Sequence, residues 1–476
     1  MTRDLLWTDK TAGKATGGEA TETFEAEGVA FDSRQIESSD LFVALKGNET
    51  DGHRFVSQAF AKGAAAAMVD HKPEDVADQS PLLVVVDTSN GLEDLARAAR
   101  ARTKAKIAAV TGSVGKTGTK EALNHVLSAQ AETHVSEKSF NNHVGTPLSL
   151  ARMRPETQFG VFEVGTNAPG EIARLAELVR PHVALITTVE AVHVANFSGE
   201  DAIADEKAAV FAALEDGGIA VINGDNRHAA TLMKHAQASP AGRIVRFGTS
   251  DECEHRLIER VATNQGSRIT ASIDGQAVTY ILALPGHHQA LNSVAVLAVA
   301  HHLRADVSEA AASLETLPAL AGRGERHTVA VSGGQAVVID ESYNASPVAV
   351  RAALDVLGET ETETVATGRR IAVLGDMLEL GDDATSAHTG LSGDLIRNKV
   401  DLLFAVGPLM NRLYGELPPA RRGGAAGDAG AIAMLLRDVV RPGDVILVKG
   451  SRRIGLEAVV AALTTTKAAR RAAARG

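Results

Sequence analysis

Seven residues, Thr111-Gly112-Ser113-Val114-Gly115-Lys116-Thr117, have the types and spacing of a phosphate cradle. They follow the apolar run Ile107–Val110 and precede a helical pattern from Lys120 to Ala129. A strand, a Gly-rich turn and a helix in that order aim backbone N–H groups and a helix N-terminus at anionic oxygens. In such a turn Lys116 reaches the terminal phosphates and the Thr117 hydroxyl holds Mg²⁺. Val110 stands where the first Gly of the full eight-residue loop pattern belongs. Taken alone, the short motif also fits a Gly turn capping a helix whose lysine is solvated.

Three further residues have suggestive positions. Glu163 closes the apolar pattern Phe159–Val164 and is followed by Gly165 and Asn167. A carboxylate at the C-terminal edge of a parallel strand beside such a loop is placed to hold Mg²⁺ through oxygen; an ordinary loop-edge glutamate is the alternative. His193 lies just past the apolar run Val183–Val189, and Lys207 precedes Phe211 by four positions on a helical pattern. By pattern alone the first is a structural or solvated histidine and the second a solvated helix lysine.

The elements that must position these residues follow from length and periodicity. At 476 residues the chain exceeds a single core and suggests three domains, at 1–102, 103–320 and 321–476. Aromatics are only 3%, with a single Trp7, so the cores must be built from Ala, Val, Leu and Ile. The lone Cys253 allows no intrachain disulfide, which fits a reducing, cytoplasmic compartment. There is no apolar run long enough to span a bilayer, and residues 1–10 lack a signal-peptide layout. A net charge of −11 argues against a nucleic-acid partner, though not against a nucleotide ligand.

The first hundred residues read as a small α/β unit, with strands at Asp40–Leu45 and Leu82–Val86 and helices at His53–Lys62 and Leu92–Ala101. A β-α alternation begins at Ile107, with strands at Gly160–Val164, Val183–Val189, Ile219–Asn223 and Ile244–Phe247. Val261–Leu284 reads as a hairpin insert turning at Asp274-Gly275, and Leu291–Leu303 as an apolar helix. Leu317–Gly322 marks the second boundary. Strands at Ala336–Asp340, Ile371–Gly375, Leu402–Val406 and Val445–Lys449 then alternate with helices, the pattern of a Rossmann-like doubly wound sheet. Glu359–Arg370 and Gly423–Gly430 read as surface loops, and Lys467–Gly476 as a frayed end.

The ordered set of these pieces resembles the Mur ligase family of peptidoglycan amino-acid-adding enzymes. The resemblance rests on Gly112–Thr117, Asn141-Asn142-His143-Val144-Gly145-Thr146-Pro147, Glu163-Val164-Gly165, His193, Lys207, Gly286–Asn292 and Asp340–Pro347. It covers about Phe31 to Gly455. Glu163–Asn167, Leu374–Gly381 and Val448–Arg452 further resemble the branch that adds D-alanyl-D-alanine to UDP-N-acetylmuramoyl-tripeptide. The Asp-Asn-Pro-Arg motif used to grip diaminopimelate is absent.

The resemblance implies an α/β fold of three domains: a UDP-substrate domain, a central ATP-binding P-loop domain and a C-terminal Rossmann-like domain. It implies ATP, Mg²⁺ and a monomer. Lys116, His193 and Lys207 match catalytic positions. Gly112, Ser113, Val114, Gly115, Lys116, Thr117, Asn292, Arg323, Asp340 and Asn344 match nucleotide contacts. Thr117, Glu163, His193 and Lys207 match metal positions, Lys207 as a carbamate formed with CO₂. Ser33 and Arg34 resemble the UDP-holding region, and Asn141, Asn142 and Thr146 contacts along the muramoyl-peptide path. Gly118, Thr188 and Ala195 depart from the family pattern, where Thr, Asn and an acidic residue are common. Two other readings stay open: a different Mur-type ligase, adding diaminopimelate or lysine, and a non-catalytic P-loop switch.

Overall fold

The computed structural model describes residues 5–47, 50–137, 140–191, 196–197, 199–263, 266–361 and 368–465. Among them the strands form sheets of two, five, nine and six strands. The five-stranded sheet runs Glu19–Ala20, Leu82–Val84, Ala66–Val69, Asp40–Val43 and Gly28–Ala30, with the last four parallel. Helix Thr88–Arg102 starts at Asp87, whose carboxylate accepts from the Asn90 N–H, and ends this unit. The buried Trp7 ties it to the next domain, donating from Nε1 to the Ala151 carbonyl at 2.9 Å under the Arg102 guanidinium.

The nine-stranded sheet places the phosphate loop. Its strand Lys106–Thr111 lies between Val183–Ile186 and Phe159–Glu163, all parallel. The chain leaves this strand toward one neighbour and returns later to the other, so a crevice opens at the C-terminal strand ends. Gly112, Glu163 and Thr187 all emerge there. Ile219–Asn223 and Arg243–Gly248 continue the sheet, and the expected hairpins follow as His255–Thr263, Gly266–Ile273 and Gln276–Leu282. Asp274 and Gly275 both have positive φ, 49° and 84°, the turn whose twist matches paired strands. Helix His287–His302 is buried from Ser293 to Ala300 against this sheet in a core of Val, Leu, Ile and Ala.

In the six-stranded sheet the order is Glu325–Val331, Gly334–Glu341, Val445–Lys449, Arg370–Gly375, Leu402–Val406 and Arg422–Ala426. Only the first strand is antiparallel to its neighbour. Helix Pro347–Glu359 covers one face, and its Glu359 pairs with Arg260 of the hairpin region at 2.9 Å. Among the described residues no helix is long and apolar enough to cross a membrane.

One expectation is corrected here. Gly423–Gly430 is not a surface loop: Arg422–Ala426 is an edge strand, and a helix starts at Ala429 behind the Asp428 cap. The glycines are there because the Phe404 ring lies against the strand. A Cβ on Gly423 would sit 2.4 Å from a ring carbon, whereas one on Gly427 meets open space. Composition signals a turn, but close approach of a ring is the cause. Gly423→Ala is expected to cost about 1–3 kcal/mol through overpacking, and Gly427→Ala less than about 0.5 kcal/mol. Thermal unfolding of the two variants compares them directly. Residues 362–367, within the expected Glu359–Arg370 loop, and the tail Lys467–Gly476 lie outside the described residues.

Four histidines, one buried and three half-buried, give the fold an acid limit. Burial pushes His134, His182 and His255 down to about 4 and His302 to about 3. His255, whose Nε2 lies 3.0 Å from that of His302, lowers His302 further, and His301 lowers both. Unfolded histidine titrates near 6.5, so between there and about 4 the unfolded chain binds more protons. The stability these groups supply is present above pH 6.5 and is lost as pH falls through the folded values. Melting temperature measured from pH 8 to 4 is expected to drop across that window; a flat profile would contradict it.

Candidate active site

A cleft of about 680 Å³ separates the nine-stranded sheet from the six-stranded one. Lys116, Thr117, Glu163, Asn292, Arg323, Asn344 and Lys449 line it. Its floor is the phosphate loop, bound tightly to the neighbouring strand end. The Ser113 N–H donates to the Thr188 carbonyl at 2.8 Å, and the Ser113 hydroxyl exchanges hydrogen bonds with the Glu190 backbone. Thr187 donates to the Val114 carbonyl at 2.6 Å. A Cβ on Gly112 would fall 2.0 Å from the Thr187 hydroxyl, and its φ is 147°, so only glycine fits. Helix Lys116–Ser128 then begins, with its N-terminus aimed into the cleft.

Lys116 folds over the loop and donates to the Gly112 carbonyl at 2.7 Å. Burial lowers its pKa, Glu163 opposes this, and Arg323 across the cleft adds to it. Glu163 is 1% exposed. Asn141 donates to its Oε1 at 2.7 Å, while its Oε2 is buried with no hydrogen-bond partner among the described residues. Leaving a buried carboxylate oxygen unpaired is costly, and a hard cation satisfies such an oxygen directly. The donor set thus fits Mg²⁺. Thr117, beside it in the cleft, is the second described candidate ligand.

Lys207 is 3% exposed, on helix Glu200–Ala208, and is not among the residues lining the cleft. Its pKa is pushed down to about 7, by burial first and the Lys116 charge second, with Glu206 opposing. The sequence pattern suggested a solvated lysine; the structure buries it within electrostatic reach of Lys116. His193 and Ala195 lie outside the described residues.

The remaining candidates divide. Asn292 packs against the loop, its Nδ2 3.2 Å from where a Cβ on Gly115 would be. The Arg323 guanidinium lies 4.1 Å over the Tyr343 ring. Asn141 lines the cleft. Asp340 does not line it; its carboxylate accepts from the Ser342 N–H at 3.0 Å. Asn142 caps helix Gly145–Ala151, accepting from the Val144 and Gly145 N–H groups. Thr146 is fully buried in that helix. Ser33 donates to Gln58 and Arg34 pairs with Asp32, both in the first domain and away from the cleft.

Sequence reasoning missed Thr187 as a brace and the pair Glu341–Lys449 on the opposite wall, 2.9 Å apart. Polar residues at the ends of parallel strands were the available signal for all three. Thr188 lines the cleft and accepts from Asn226 at 2.9 Å.

A phosphate loop facing a second α/β sheet across a cleft defines a nucleotide-dependent multidomain enzyme. The chain matches three family models in order: "Mur ligase family, catalytic domain" over residues 25–100, "Mur ligase middle domain" over 110–300, and "Mur ligase, glutamate ligase domain" over 322–452. It is 30% identical to the UDP-N-acetylmuramoyl-tripeptide–D-alanyl-D-alanine ligase of Bacillus subtilis over 91% of this chain and 92% of that one. To the Escherichia coli enzyme of that name it is 31% identical, over 96% and 97%. The crystal structure of MurF from Acinetobacter baumannii superposes with a TM-score of 0.84 at 29% identity, covering 96% of this chain and 98% of that one. The chain belongs to the Mur ligase family.

Proposed function

We propose that the chain is an ATP-dependent ligase that joins D-alanyl-D-alanine to the terminal carboxylate of UDP-N-acetylmuramoyl-tripeptide. The observation that carries this reading is end-to-end similarity to relatives of that one name, with the loop through Lys116 and Thr117 intact. A carboxylate does not condense with an amine in water, so it must be activated. Transfer of the ATP γ-phosphoryl group to a carboxylate oxygen gives an acyl phosphate and ADP. The dipeptide amine then attacks the acyl carbon, the C–O bond breaks, phosphate leaves and the amine loses a proton.

This chain's residues divide the work. Lys116 and the loop N–H groups of Gly112, Ser113, Val114 and Gly115 hold the phosphates and offset charge on the moving group. Asn292, Arg323, Asp340 and Asn344 are assigned to the nucleotide, and Ser33, Arg34, Asn141, Asn142 and Thr146 to the muramoyl substrate. Thr117, Glu163, His193 and Lys207 are assigned to Mg²⁺, which when bound neutralises phosphate charge. Lys207 takes this part as a carbamate: its neutral amine adds to CO₂, forming an N–C bond and releasing a proton. Its depressed pKa supports this, since the neutral amine is well populated at pH 7. Closure of the C-terminal domain would keep water from the acyl phosphate. The enzyme is read as a monomer, and as cytoplasmic in keeping with its lone Cys253, which is free and buried.

The amine is tested by product mass after incubation with ATP, Mg²⁺ and the muramoyl acceptor. D-alanyl-D-alanine is expected to be incorporated, and single L-amino acids and diaminopimelate are not. Incorporation of diaminopimelate onto a muramoyl-dipeptide would move the chain to another branch of the family.

A further inference from the structure

Glu206, beside Lys207, does something no catalytic assignment uses. The residue is 8% exposed, and its carboxylate reaches out of its own helix, Glu200–Ala208, to the start of another. Oε2 accepts from the Gly170 N–H at 2.7 Å and Oε1 from the Ile172 N–H at 2.9 Å. These are among the first N–H groups of helix Glu171–Val179, which has no side-chain cap at Gly170. A carboxylate at a helix N-terminus is favoured by the helix dipole, and two charge-assisted hydrogen bonds fix its position. The clamped helix is reached from Glu163 by the short segment 164–170, which carries Asn167 on the cleft wall. Glu171 secures that segment from the other side, accepting from the Asn167 N–H at 2.7 Å. The Lys207 ammonium makes no hydrogen bond or ion pair to a described residue, so its backbone placement decides where its tip lies.

We propose that Glu206 is a positioning residue that joins the helix carrying Lys207 to the segment following Glu163, and so sets the spacing of the two oxygen donors. The inference rests on the reading of Lys207 as a metal-holding group. Glutamine has the shape of glutamate, but only its carbonyl accepts; its NH₂ would meet one of the two N–H groups and leave it unmatched. Outer-shell partners of metal ligands are worth about 10–100-fold in metal affinity.

The test measures Mn²⁺ affinity in the presence of ADP by the electron paramagnetic resonance signal of free Mn²⁺. Full-length wild type, E206Q, K207A and the double variant are compared, with circular dichroism and melting temperature alongside. E206Q is expected to weaken Mn²⁺ binding by about tenfold or more with its spectrum unchanged. In the K207A background the same change should cost no further affinity, since Glu206 acts through Lys207. Mn²⁺ affinity within twofold of wild type in E206Q, with only a lower melting temperature, would overturn the proposal and leave a helix cap. Equal losses in both backgrounds would overturn it too. Wild-type affinity in K207A would overturn the metal role of Lys207 and with it this inference, whereas a loss in K207A without one in E206Q overturns the clamp alone. Should E206Q fold poorly, E206D, which keeps the charge but shortens the reach, is read in the same way.

Discussion

Lys116→Ala is expected to lower turnover by about a hundredfold or more while leaving the fold intact. The loss corresponds to about 3 kcal/mol of transition-state stabilisation. Lys116 is the loop's only side-chain cation, and its ammonium sits on the Gly112 carbonyl where phosphate oxygens would draw it away. The loop is held independently of it, by Ser113 against Glu190 and by Thr187 against Val114. Circular dichroism and melting temperature should therefore match wild type. Turnover near that of wild type would sink the assignment of this loop to phosphate.

Lys207→Ala is expected to lose most activity, and Lys207→Arg to stay inactive. A lysine this buried, with the Lys116 charge nearby, is an expensive place for an ammonium. Bound Mg²⁺ would make it worse, whereas a carbamate presents oxygens as a carboxylate does. Arginine keeps its charge at any relevant pH and cannot become an oxygen ligand. Formate or acetate at high concentration should partly restore the alanine variant by filling the vacated oxygen position. Steady-state rates with and without the added acids decide the matter. A fully active Lys207→Arg would make Lys207 a structural or phosphate-facing cation.

The phosphate loop was legible because its chemistry is local: strand, turn, lysine and helix occur within about twenty residues, and each has its own signature. Strand positions such as Ile219–Asn223, Leu402–Val406 and Val445–Lys449 were legible for a similar reason, as buried parallel strands read as unbroken apolar runs. What depends on register was not. Glu341 and Lys449 are paired because their strands are neighbours in that register, although they stand far apart in sequence. Gly423 looked like a loop because its reason, the Phe404 ring, comes from another strand. Lys207 looked solvated because a nearly featureless helical pattern says nothing of what packs around it. The burial of Glu163 likewise comes from three-dimensional packing, and so does the hydrogen bond Asn141 donates to it.

The most direct test of the account is an isotope experiment. UDP-N-acetylmuramoyl-tripeptide labelled with ¹⁸O in its terminal carboxylate is incubated with the enzyme, ATP, Mg²⁺ and D-alanyl-D-alanine, and the released phosphate is analysed by mass. If the carboxylate is activated as an acyl phosphate, one labelled oxygen passes into phosphate for each amide bond formed, and phosphate release requires the muramoyl substrate. Phosphate without label, released at the same rate whether or not the muramoyl substrate is present, would contradict the account and point to a nucleotide switch instead of a ligase.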